Sequence, residues 1–489
     1  MESVGSDSET QHSPEQPSLV LTPGTEQRID LWQQTGAFPY PDLHVFPPPQ
    51  THEYSKNELR LIHHLTSVSN DLLLKGTTGL AIWTQKMPKF LSIAASYPYV
   101  MHALLSFSAN HLAWVHSSKE TRNLCLHHGS IALRGLHEAI GEFSRANADA
   151  VLAASLLLLW QATDWRSWSS LRAGIRSILA AMQSWKHESL FAEYIAEEDL
   201  VASAFRSPLR KSSVNPTERC ALLQNSLYSL QRLRIALAEH ELELSWVNQL
   251  VAYVQQLQGV AAAQTPEEQF NYLYQLRKWL FWIPVSLLQQ QGGQGPALLT
   301  LAHIYATALA LEPLFPDLGS SFCSAMALPP LEAIISVTDA MQSQHGMGPS
   351  AMEIASLMQY PQHTALACRN RAMQNQQAAF QQESPMLGVN PETLSYTTFG
   401  NLSPAFAPST PAYDIGQSSS ALNTTFLEVP MDQSSQSSFT YGTQSWGAMP
   451  SPSFPPQAYT SQEEQMYDYS GMSIGGFRGG FVPSATIWT

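Results

Sequence analysis

Residues 97–116, YPYVMHALLSFSANHLAWVH, restrict the fold of this chain more than any other stretch. Ser96 can cap a helix here, and Pro98 suits its first turn, where no backbone N–H donor is required. Two apolar stripes follow at helical spacing: Met101, Leu104, Leu105, Leu112 and Val115 form one, and Val100, Ala103, Phe107 and Trp114 the other. A helix apolar on nearly every side belongs at a centre, with other helices around it. Ala103, Ser106, Ser108, Ala109 and Ala113 keep it thin, so those neighbours can come close.

The flanking signals are helical too. Ser55 and Glu58 make a capping box that opens a helix through Leu59, Ile62, Leu65 and Leu73, broken at Gly76 and Gly79. A shorter piece passes Trp83 and Phe90 with an interruption at Met87-Pro88. Leu124, Ile131, Leu136, Ile140 and Phe143 repeat at helical spacing over residues 118–143, and Asn147 can cap the apolar run that follows. Residues 164–185, 222–237 and 244–258 read as further helices, with residues 207–215 as a loop. Thr265-Pro266-Glu267-Glu268 is a second capping box, opening a segment with a kink expected at Ile283-Pro284. After a loop at 292–295, helices are expected over 297–311, 331–341, 349–360 and 364–380. Strand alternation and fixed-period repeats are missing. The fold class expected is all-α: a multi-helix globular regulatory domain of about a dozen helices over residues 51–380.

Charge sets the ends apart from this middle. Residues 1–50 hold seven acids against Arg28 alone, and residues 381–489 hold eight against Arg478 alone, so the net −14 lies almost wholly in the two ends. Residues 1–50, polar and Pro-rich, are expected to be disordered or loosely docked, with order beginning at Ser55. Residues 381–489 are rich in Ser, Gln and Pro, and carry Phe399, Phe406, Tyr413, Phe426, Phe439, Tyr441, Trp446, Tyr467 and Tyr469 among acids. That tail is expected to be disordered, and its solvated rings suit either weak co-activator contacts or a plain solubilising role. The basic footprint of a nucleic-acid binder is missing. The first thirty residues lack a signal-peptide pattern, and the apolar run 151–160 is too short to span a bilayer. A soluble, intracellular protein is expected. Cys125, Cys220, Cys323 and Cys368 form no CxxC pair and are expected to be reduced and buried.

A search for chemistry assigns no catalytic residue, no cofactor and no metal ligand. His63, His64, His102, His111, His116, His127, His128 and His137 cluster in sequence, but no pair has the i, i+3 or i, i+4 spacing of a helical zinc site. Core and boundary histidines account for them better. Glu197-Glu198-Asp199 lacks the spaced aspartates of a magnesium helix and reads as a solvated helix end. Arg206, Arg210 and Lys211 are either a short nuclear-import signal or a plain loop, with the loop favoured. Phosphate-cradling loops and nucleophile elbows do not occur.

In order along the chain, residues 55–74 (with ELRLIHHL), WTQKMP at 83–88, residues 97–114 and WQATDWRSWSSLRAGI at 160–175 together resemble the effector domain of fungal-specific transcription factors, of the sterol uptake control type. WLFWIPV at 279–285, residues 296–311 and LPPLE at 328–332 agree, so the resemblance spans about residues 50–360. It implies an all-α regulatory domain, often dimeric, with an apolar pocket that holds a lipid in sterol regulators. Such factors carry an N-terminal binuclear zinc cluster on six cysteines and a basic linker, whereas residues 1–50 contain neither cysteine nor lysine. Direct, specific DNA binding by this chain alone is therefore not expected. The function expected is a non-enzymatic transcriptional regulator or co-regulator of a metabolic or biosynthetic pathway. It would work in the nucleus, with the cytoplasm as the other location, through transcription factors or co-activators, a homodimer, and a lipid or other apolar ligand. The alternative is an all-α enzyme or small-molecule binding protein built on the same apolar interior.

Overall fold

The computed structural model describes residues 22–116, 118–195, 214–289, 294–345 and 349–383. Helices α1 (Pro23–Thr35), α2 (Lys56–Leu74), α3 (Met87–Ala94), α4 (Pro98–His116), α5 (Lys119–Gly141), α6 (Ala148–Gln161) and α7 (Trp165–Met182) make the first part. The second part holds α8 (Pro216–Ala236), α9 (Glu241–Gly259), α10 (Pro266–Leu288), α11 (Gln294–Leu311), α12 (Ala325–His345) and α13 (Pro349–Glu383). Among the described residues there is no β-strand, and the expected all-α class is what the chain forms. The acids at 197–199, the basic loop at 206–211 and the aromatic tail from 384 onward lie outside the described residues.

α4 takes the central place its two stripes require, packed among α2, α3, α5 and α6. Its closest neighbour is α5, and small residues set that approach. A Cβ on Gly135 would lie 2.6 Å from Tyr99 Cβ, and one on Gly129 would lie 3.2 Å from Ser106 Oγ. With the backbones this near, Ser106 Oγ reaches the Cys125 carbonyl at 2.9 Å and Gln161 Oε1 at 2.8 Å. α4 begins one residue later than a Ser96 cap implies: the Tyr97 carbonyl accepts from the Met101 N–H, so Tyr97 holds the cap position.

The helix starts follow local chemistry. Ser55 and Glu58 close a capping box on α2, and Thr265 and Glu268 close another on α10. Asp164 accepts from the Ser167 N–H at 2.8 Å, and Asn215 accepts from the Glu218 N–H at 2.7 Å. Asn147 acts differently from the expected cap. Its Oδ1 accepts from the Ser144 N–H, while its Nδ2 donates to the carbonyls of Ala139 and Glu142, so it ties the turn back onto the end of α5. α10 runs through Pro284 as one segment, as expected, but α12 starts before Pro329 and Pro330, and α13 joins the two helices expected either side of Pro361. Pro284, Pro330 and Pro361 are buried, where packing can offset the local cost of a proline. Gly319 is required where the chain turns into the π-helical residues Ser320–Ser324, because a Cβ there would lie 2.4 Å from the Glu312 carbonyl oxygen.

The expectation of a disordered segment over residues 1–50 needs correction for residues 22–50. α1 starts on Thr22, whose Oγ1 accepts from the Thr25 N–H, and ends at Gly36, in the left-handed region at φ 69°. Its Ile29 and Trp32 are buried to 0% and 1% exposure. Arg60 of α2 grips Glu26 with two hydrogen bonds of 2.7 and 2.9 Å, and Lys56 meets Asp30 at 2.7 Å. Further on, Tyr40 places its hydroxyl 2.8 Å from His63 Nε2. Two large apolar anchors and a bidentate arginine dock a segment whose average composition reads as disordered. Residues 1–21 lie outside the described residues.

Two helical stretches, Gly295–Leu314 and Ser320–Met341, are long and apolar enough to cross a membrane by length and composition. In the first, 89% of the most apolar window is buried inside the protein, the placement of a core helix; in the second it is 50%.

Candidate functional site

The interior converges on rings. Phe107 and His111 lie one turn apart on α4, and Trp83 and Trp282 close on them from either side. Trp282 stacks on His111 with centroids 4.8 Å apart and meets Phe107 at 5.0 Å. Trp83 packs edge-on to Phe107 at 5.3 Å and to Trp282 at 5.9 Å, and its Nε1 donates to the Phe281 carbonyl at 3.1 Å. Trp160 of α6 joins through Phe281 at 5.7 Å and Phe107 at 6.1 Å. Thus α4, α6 and α10 share one aromatic centre.

Histidine is the polar element of this centre. His64 Nε2 and His111 Nδ1 are 2.9 Å apart, sharing one hydrogen between two imidazoles. Burial pushes His64 down to about 3 and holds His111 well below its ordinary value. Both rings are therefore neutral at physiological pH. His111 Nε2 is buried without a hydrogen-bond partner, enclosed by the tryptophans. Neutral imidazoles in such a cage order the packing and offer no carboxylate-backed base.

Beside this centre runs a polar cleft lined by Asn110, Gln161, Thr163, Arg277 and Lys278, with Trp160 and Trp282 as walls. Arg277 is 4% exposed, yet among the described residues no carboxylate pairs with it. Its Nη1 donates to the Ala162 carbonyl at 2.8 Å and its Nη2 to the Leu159 carbonyl. These are carbonyls at the C-terminal end of α6, where the helix dipole is negative. The guanidinium also lies over the rings of Phe281 at 5.9 Å and Phe322 at 5.4 Å. Burial lowers its pKa to about 10, still cationic. Burial, helped by the Arg122 charge, also lowers that of Lys278. The cleft measures about 30 Å³, room for a water or two, whereas lipid-sized ligands need several hundred.

Sequence spacing missed Arg277, although a lone arginine within FNYLYQLRKWLFWIP is a visible signal of a buried cation. Spacing also could not show which histidines meet. His102 of α4 and His128 of α5 come together, Nδ1 to Nδ1, at 3.0 Å, with Glu58 of α2 beside them. Burial lowers His102, and lowers His128 to about 4. His116, His127 and His137 are exposed. Cys323 and Cys368 are buried as expected and Cys125 is half-buried, but Cys220 is exposed, because its position on α8 faces solvent.

Comparison with known proteins gives the family setting. Residues 87–195, from α3 past the end of α7, match the fungal specific transcription factor domain. Sterol uptake control protein 2 of Saccharomyces cerevisiae is 37% identical over 103 residues, which are 21% of this chain and 11% of that protein. Sterol uptake control protein 2 of Candida albicans is 36% identical over 103 residues, 21% of this chain and 14% of that protein. The chain thus matches little more than a tenth of the length of either relative, and no solved structure matches it. The resemblance drawn over about residues 50–360 is carried, in these comparisons, by the shorter stretch 87–195. Over those residues, the chain is similar to the fungal specific transcription factor domain.

Proposed function

We propose that this protein is a transcriptional regulator or co-regulator that acts through protein partners, in the nucleus, and is not an enzyme. The observation that carries the reading is the match of residues 87–195 to the fungal specific transcription factor domain, because those residues supply the centre of the fold. The relatives are named for the control of sterol uptake, so genes of lipid or related metabolism are the first targets to examine. An apolar ligand bound beside Arg277 would act by opening the packed centre, since that cleft holds only about 30 Å³. Within the tail, Phe426, Phe439, Tyr441 and Trp446 suit multivalent co-activator contacts.

The full-length chain fused to a neutral DNA-binding module should change the output of a reporter in a fungal host. Replacing those four aromatics together by Ala should lower an activating signal without lowering the protein level. Chromatin immunoprecipitation of the tagged protein should enrich discrete promoters. A silent fusion together with no promoter enrichment would overturn the reading.

A further inference from the structure

We propose that Glu58, His102 and His128 form a binding site for a divalent transition metal of the zinc class, joining α2, α4 and α5. The three side chains come from three helices, and one ligand atom of each lies within 4.8 Å of the others. The two imidazole Nδ1 atoms are 3.0 Å apart. Two nitrogens bound at about 2.05 Å to a tetrahedral ion are about 3.3 Å apart, so the pair needs only a few tenths of an ångström to span one. The carboxylate belongs to the first turn of α2, held there by the capping box, with a ligand oxygen already within 4.8 Å of both imidazole nitrogens.

The surroundings fit a metal as well as the donors do. Glu58 Oε2 accepts from the Ser55 N–H and the Ser55 hydroxyl, each at 2.8 Å, which fixes the carboxylate and leaves Oε1 to coordinate. Hydrogen-bonded carboxylates of this kind are the usual support for metal ligands. His128 is 4% exposed, whereas His102 and Glu58 are half-buried, so the site has one closed side and one reached by water. Two imidazoles and one carboxylate select zinc-class ions over calcium or magnesium, which prefer oxygen donors. Three protein ligands leave a fourth position for water or for a donor from another molecule. A metal here ties α2 to the α4–α5 pair at its solvent edge.

The test uses tag-free, full-length protein stripped of metal, titrated with Co(II) and separately with Zn(II). One equivalent should bind after dialysis, Co(II) should give the strong visible absorption of a four-coordinate site, and Zn(II) should raise the melting temperature. Glu58→Gln keeps the capping box, which accepts Gln, but removes the anionic donor, and should weaken affinity by at least about 10-fold. The double variant His102→Asn/His128→Asn should abolish the stoichiometric site, while His137→Ala, an exposed change elsewhere on α5, should leave it intact. The absence of a stoichiometric ion, or one that survives the double variant, means adventitious binding and overturns the proposal. Should the double variant fail to fold, the decision rests on Glu58→Gln and on X-ray absorption of the zinc-loaded wild type. Unchanged affinity in the first, or no imidazole scattering in the second, is equally fatal.

Discussion

Mild acid should unfold this protein well above the pH at which carboxylates protonate. His63 and His64 are held down to about 3, His303 to about 4, and His111 well below its ordinary value, in each case chiefly by burial. Around them stand few compensating charges. His63 meets the Tyr40 hydroxyl and feels Arg28; His64 and His111 face each other and feel His116; His303 bonds the Leu299 carbonyl and feels Arg232. The unfolded chain takes up a proton on each near pH 6.5, whereas in the folded chain His63 and His64 wait until about 3, His303 until about 4, and His111 until well below its ordinary value. Between those values the unfolded state binds more protons, so stability falls as pH falls. Each fully neutral histidine costs about 2 kcal/mol at pH 5 relative to neutral pH. Four of them approach the whole stability of an ordinary domain. Urea unfolding followed by circular dichroism should show the midpoint dropping steeply between pH 7 and 5, with a slope demanding more than one proton. The NMR signals of His63, His64, His111 and His303 in the folded state should not titrate over that range. An unchanged midpoint between pH 7 and 5, or buried-histidine signals shifting near pH 6.5, would refute the reasoning.

Three further outcomes are expected. Gly135→Val should lower stability by about 1–3 kcal/mol, read as a fall in melting temperature, because the new side chain meets Tyr99 on the partner helix. Trp32→Ala should cost about 3 kcal/mol or more if α1 is docked as described, and nothing if residues 22–50 are a loose tail. The full-length protein without partners should give no sequence-preferring shift with duplex DNA at physiological salt, given its net charge of −14 and near-neutral middle.

What the sequence disclosed was whatever is encoded locally. The capping boxes at Ser55 and Thr265 start helices where expected, since their partners sit three residues apart on the same chain. The double stripe of residues 97–116 put α4 at the centre, and its small residues anticipated the close approach of α5. What stayed hidden depends on distant partners. α1 docks because Arg60, thirty-four residues along the chain from Glu26, reaches it. Pro361, buried within α13, leaves that helix running where two were expected, which no propensity argument could weigh. The trio of Glu58, His102 and His128 was invisible to spacing rules for the same reason: each helix gives it one side chain.

Arg277 decides whether the family-matched stretch is a separable unit. It lies on α10, outside residues 87–195, yet it donates to the carbonyls that end α6 within them. Arg277→Met keeps the stem and removes the donors. Two carbonyls then each lose a hydrogen bond from a charged donor, although that of Leu159 keeps the Ala162 N–H, at about 3–6 kcal/mol together, and two ring contacts go, at about 1–3 kcal/mol. Against this, relief of desolvation returns about 3 kcal/mol, the equivalent of a drop in pKa from 12.5 to about 10. Mid-range values leave a net loss of about 3.5 kcal/mol. Arg277→Lys should recover little of it, because a point charge cannot fork to two carbonyls. Residues 87–195 alone also lose Trp83, Phe281 and Trp282, the rings that cover Phe107, His111 and Trp160. Expressed by themselves they should show neither a cooperative melt nor dispersed amide signals, while the full chain shows a cooperative melt. A fragment that folds alone, or an Arg277→Met chain that melts like wild type, would mean that α10 merely lies against the domain and does not complete it.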